Sequence, residues 1–67
     1  MFMRNRFEAA LKLRGKTIAD TAALLHLNRG TLYKKMRQET DFSRAEVQTL
    51  KDALGLSTAE TMDIFYA

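Results

Sequence analysis

The side chains best equipped for chemistry in this chain lie between Asn28 and Arg37. Asn28, Arg29, Gly30, Thr31, Tyr33, Lys34, Lys35 and Arg37 fall in one short run, and most are donors of the kind that meet a polyanion. Arg29 carries the planar fork that takes guanine O6 and N7 together in a major groove. Asn28 has two roles open to it, pairing with adenine or capping a helix, and capping is the favoured one. Tyr33 suits a thymine methyl or a phosphate, or else closes the edge of the element with its ring. Lys34 and Arg37 would face a groove or its phosphates. The expected base-reading set is therefore Asn28, Arg29, Gly30, Tyr33, Lys34 and Arg37. Lys16, Thr17, Thr31, Lys35, Ser43 and Arg44 make up the expected phosphate set. Thr17 and Ser43 join it because the free N–H groups at a helix start attract anions.

Other chemistries lack their parts. There is no Cys, so thiolate metal sites, disulfides and Cys nucleophiles are excluded. His26 is the single His; no ligand partners stand at metal spacing around it, and a turn position suits it better. One His among scattered Ser and Asp defines no nucleophile–base–orienter arrangement. Glu60 and Asp63 stand three apart, but on a short helix such a pair is expected to face solvent. The expectation is a protein that is not an enzyme and uses neither metal nor cofactor.

Charge is divided unevenly. From Met1 to Arg37 there are nine basic residues against Glu8 and Asp20; from Gln38 to Ala67 there are two, Arg44 and Lys51, against six acidic ones. The net charge of +3 thus conceals a basic half suited to a polyanion and an acidic half that is not. No apolar run approaches the ~20 residues of a membrane span. The start, Met1 to Arg6, has neither a long apolar stretch nor a cleavage site. A cytoplasmic, nucleoid-associated location is expected.

The elements that must hold these residues are short helices. With 67 residues the chain is one domain over 1–67. Asn5-Arg6-Phe7-Glu8 has the form of a capping box, and Met3, Phe7 and Leu11 recur every four residues up to Gly15, giving a helix over about 5–14. Thr17-Ile18-Ala19-Asp20 is a second box, opening a helix over about 18–25 with Ile18, Ala22 and Leu25 on one face. Asn28 opens a third, with Leu27 and Leu32 spaced as a hydrophobic staple and only Leu32 and Met36 on its apolar seam. Phe42 to Val47 combines box and staple before a helix carrying Val47, Leu50 and Leu54 and ending at Gly55. Leu56-Ser57-Thr58-Ala59-Glu60 starts a short fifth helix to about Asp63. Ile64-Phe65-Tyr66-Ala67 is then left as a strand or a packed tail.

Residues 17–36 thus read as helix, short turn, helix, with small Ala22 at the crossing and Leu25, Leu27 and Leu32 at the contact. This is the architecture of a DNA-binding helix-turn-helix. The stretch Thr21 to Met36 resembles the helix-turn-helix of small prokaryotic DNA-binding proteins. Asn28-Arg29-Gly30-Thr31-Leu32 with Lys34-Lys35 is similar to the recognition helix of the Fis family. The wider pattern, with Asp41-Phe42-Ser43-Arg44 before helix 4 and Leu54-Gly55-Leu56-Ser57 after it, resembles phage Cro and lambda-repressor-like regulators over about residues 5–66. Ile18 stands where the repressor family often has Gln, and His26 where the turn usually has Gly.

The resemblance implies an all-α, five-helix lambda-repressor-like fold of phage or mobile-element origin. It also implies a transcriptional regulator of Cro/repressor type on double-stranded operator half-sites. Two motifs one helical turn apart, ~34 Å, require a homodimer on DNA. Its candidate interface is Ile64-Phe65-Tyr66 with helix 5 or Phe2, the alternative being that the tail folds back on its own core. The acidic half would face away from DNA or toward a partner protein. Two other functions fit the same fold: an interaction module of antirepressor type, and a DNA-bending recombination accessory protein. An RNA binder is a weaker fit, since no exposed aromatic platform is evident.

Overall fold

A computed structural model describes all of residues 1–67. The chain forms five helices and no strand: α1 (Arg4–Leu13), α2 (Ile18–Leu24), α3 (Arg29–Met36), α4 (Arg44–Leu54) and α5 (Thr58–Phe65). Four of them begin where a side chain closes the first turn. Thr17, Asn28, Ser43 and Ser57 each accept a hydrogen bond from the backbone N–H three residues on. In α2, α4 and α5 the box is reciprocal, with Asp20, Glu46 and Glu60 accepting from the N-cap N–H. Such caps satisfy donors that a helix start otherwise leaves orphaned.

The expected box at Asn5 does not form. α1 starts one residue earlier, with Met3 as an N-cap whose side chain makes no cap bond. The reason is tertiary. The Met3 N–H donates to the Ile64 carbonyl at 2.6 Å, and Phe2 and Phe7 are both buried, so the entry is fixed from outside the helix. Glu8 turns instead to Arg4, one turn back.

Helix ends follow one pattern. After α1, α2 and α3 the next two N–H groups fold back on carbonyls of the last turn, with Gly15, His26 and Gln38 in the left-handed region; Gly55 does the same after α4. Glycine adopts that region freely, whereas His26 (φ 56°) and Gln38 (φ 63°) bear its steric cost.

The core joins α1 to α5, α5 to α4, and α2 to both α3 and α4. Phe7, Leu32 and Leu50 are fully enclosed. At one end Phe2, Phe7, Phe42 and Phe65 form a cluster with ring centroids 5.0–6.4 Å apart, within the range where aromatic pairs gain beyond area burial. Ile64 and Phe65 therefore belong to this core and lie inside α5. The tail folds back as helix, and the apolar residues offered for a dimer contact, Ile64, Phe65 and Phe2, are taken up internally. Tyr66 alone of that set is exposed. The packed chain has a radius of gyration of 10.6 Å, close to the ~11 Å expected of a folded domain this long. No helix is long and apolar enough to cross a membrane.

Arg14 is drawn partly into the interior of the fold, its side chain 20% exposed. Its guanidinium donates to the Leu54 carbonyl at 2.6 Å, to the Ala10 carbonyl at 3.1 Å and to Glu60 at 3.1 Å. It thereby closes the ends of α1 and α4 and holds the start of α5. Glu60, read from sequence as solvent-facing, is thus a cap and an ion-pair partner, and Asp63 stands 3.9 Å from Arg6.

Candidate nucleic-acid interface

α2 and α3 are joined by Leu25–Asn28, with the left-handed residue at His26. Ala22 and Leu25 are buried and Leu27 is half-buried, so the corner between the helices is apolar, as its residue types require. Thr21, which the sequence reading passed over, is fully buried there; its hydroxyl donates to the Thr17 carbonyl at 3.2 Å. A buried hydroxyl needs such a partner, and its own helix supplies it.

α3 is held by a narrow seam. Leu32 and Met36 are buried, while Arg29, Gly30, Lys34 and Arg37 are exposed. Gly30, Lys34 and Arg37 follow at i, i+4 and i+7, the side opposite that seam. Lys16, Arg29, Lys34 and Arg44 enter no ion pair. Arg37 is matched locally by Glu39 across an exposed pair, which solvent screens heavily. A side chain at Gly30 would meet only Asn28 Oδ1, at 3.4 Å; its backbone therefore offers close approach.

Asn28 takes its favoured role: its Oδ1 accepts the Thr31 N–H at 2.7 Å, so it caps α3, and the acceptor it would need for a two-pronged contact with adenine is engaged. Other residues are placed otherwise than their types suggest. Lys35 is the main departure. Its side chain is 14% exposed, and its ammonium lies 3.2 Å from Glu46 and donates to the Asp41 carbonyl at 2.9 Å. It faces α4 rather than solvent, so it ties α3 to α4 and is corrected out of the phosphate set. Thr17 and Ser43 spend their acceptors inside capping boxes, beside Asp20 and Glu46. A carboxylate already occupies each helix start, which disfavours a second anion there. Thr31 is half-buried behind the Asn28 cap.

The carboxylates in these boxes are acidified. Backbone and side-chain hydrogen bonds from Thr17 hold Asp20 below the ordinary Asp range. Burial pushes Glu46 up, but the Ser43 N–H and the Lys35 ammonium together outweigh it and leave Glu46 below the ordinary Glu range. The Ser57 N–H and then Arg14 lower Glu60.

Tyr33 is half-buried and packs against the core, which is the edge-closing role. Above its ring stands Arg4 of α1, the guanidinium carbon 5.9 Å from the centroid. No local signal in the sequence links these two residues; only the fold does. No group of three or more His, Cys, Asp and Glu residues is arranged to hold a metal ion. Comparison with known proteins finds no match, whether among protein families, curated proteins or solved structures.

Proposed function

We propose that the chain binds double-stranded DNA sequence-specifically, reading the major groove with α3, as a transcriptional regulator of Cro/repressor type. The observation that carries this reading is the combination on α3. Two buried anchors fix the helix, and the side turned away from them presents Gly30, Lys34 and Arg37, with Arg29 exposed at its start. Arg29 supplies the guanine contact, Lys34 and Arg37 the groove wall or phosphates, and Gly30 the room for close approach. Lys16 and Arg44, exposed and without ion-pair partners, are the backbone contacts.

Binding as two copies on a two-fold operator belongs to the same proposal, because one short helix reads few bases. With Ile64, Phe65 and Phe2 buried, the large apolar side chains left exposed for pairing are Met1, Leu13, Met62 and Tyr66. Selection of bound duplexes from a random pool tests the reading. A defined motif with two-fold symmetry supports it. Enrichment of bent or unrelated sequences would favour an accessory, DNA-bending role. Binding that ignores the loss of Arg29, Lys34 and Arg37 would favour an interaction module.

A further inference from the structure

We propose that Arg4, carried on α1, is a DNA-backbone ligand that belongs to the surface of α3; this rests on the DNA-binding reading above. Three observations place it there. Its guanidinium carbon lies over the Tyr33 ring, 5.9 Å from the centroid, and Tyr33 is a residue of α3 itself. Tyr33 packs against the core, so the platform is fixed and the arginine is presented from a rigid base. The guanidinium is also only partly engaged. Its Nε donates to Glu8 Oε1 at 2.8 Å, while neither terminal nitrogen has a partner within the chain.

A guanidinium held over an aromatic ring by a cation–π contact leaves its N–H donors free for a phosphate oxygen. Both ionic side chains are about half exposed, 44% for Arg4 and 50% for Glu8, so an incoming strand has access. Glu8 holds the arginine in register, but it also places a negative charge one hydrogen bond from the site. Its carboxylate therefore opposes a phosphate even as it orients the group that would bind one. The two effects separate by substitution. Removing Arg4 deletes a contact, whereas neutralising Glu8 keeps the arginine and removes the repulsion. A purely structural Arg4–Glu8 pair would respond to both changes in the same direction.

The test is a salt series of fluorescence anisotropy titrations with a selected duplex and a scrambled one. Wild type is compared with Arg4→Gln, Arg4→Lys, Glu8→Gln and Lys34→Gln, each checked for an unchanged thermal melt. Arg4→Gln is expected to weaken both duplexes alike, by about fivefold at low salt, and to flatten the salt slope by about one unit. Arg4→Lys should recover the slope, and Glu8→Gln should tighten binding by about twofold or more. If Lys34→Gln weakens binding while Arg4→Gln superimposes on wild type, Arg4 is no ligand and the DNA-binding reading stands. A change of preference between the two duplexes in Arg4→Gln would overturn the backbone assignment. Flat wild-type isotherms would end the DNA-binding reading, and Arg4 with it.

Discussion

The Lys35 ammonium lies 3.2 Å from the Glu46 carboxylate, and this ion pair joins the last turn of α3 to the first turn of α4. Glu46 at the same time accepts the Ser43 N–H that starts α4. One carboxylate thus fixes where α4 begins and how α3 lies against it. Lys35→Ala is expected to lower stability by about 1–3 kcal/mol, since it leaves a mostly enclosed carboxylate without its cation. It should leave the salt slope of duplex binding unchanged. Denaturant melts and a salt titration check the two halves; a slope reduced by one unit would return Lys35 to the phosphate contacts.

Leu32 is fully buried and is the principal anchor of α3. Leu32→Ala should cost about 2–5 kcal/mol, enough to unfold much of a domain whose total stability is about 5 kcal/mol or little more. An unaltered thermal midpoint would contradict the packing described.

Low pH should destabilise the fold through its capping boxes. Asp20, Glu46 and Glu60 all titrate below their ordinary values, 3.8 for Asp and 4.5 for Glu. A group depressed in the folded state stabilises fully above its unfolded value and loses that contribution as pH falls through its folded one. Stability should therefore fall as pH drops below about 4.5. The double variant Glu46→Gln, Glu60→Gln should be less stable than wild type at neutral pH but lose less on acidification. Parallel curves for the two proteins would contradict the assignment.

The left-handed turn at His26 has a cost that glycine would not. His26→Gly should raise stability by about 1 kcal/mol, because a Cβ in that region crowds the following carbonyl. Thermal melts at fixed concentration measure it, and a destabilised variant would indicate that the imidazole makes a contact of value in the turn.

Sequence reasoning reached different depths in different parts of the chain. The boxes at Thr17 and Ser43, the cap at Asn28 and the start of a helix at Ser57 were legible because their chemistry is local: an acceptor, then a donor three residues on. The seam of Leu32 and Met36 was legible for the same reason, as a matter of spacing. The start of α1 was not, because its N-cap is set by Ile64, far along the chain. The fate of Phe65 and the engagement of Lys35 were hidden for a like reason. A phenylalanine near the end of a chain and a lysine on a basic helix look alike whether they face inward or outward, and only the partners that folding brings, Phe2 and Phe42 for one and Glu46 for the other, decide it. Gln38 gives no sequence sign of its left-handed backbone, since it is neither Gly nor Asn.

In the proposed function α3 enters a duplex with Arg29, Lys34 and Arg37 foremost. The most direct measurement is an anisotropy titration of wild type and Arg29→Ala against the selected duplex and its single-base variants at low ionic strength. Arg29→Ala is expected to lose about 1–3 kcal/mol of binding and to relax discrimination at one base pair while leaving it intact at the others. Discrimination unchanged at every position in Arg29→Ala, or no binding by wild type to any duplex, would contradict it.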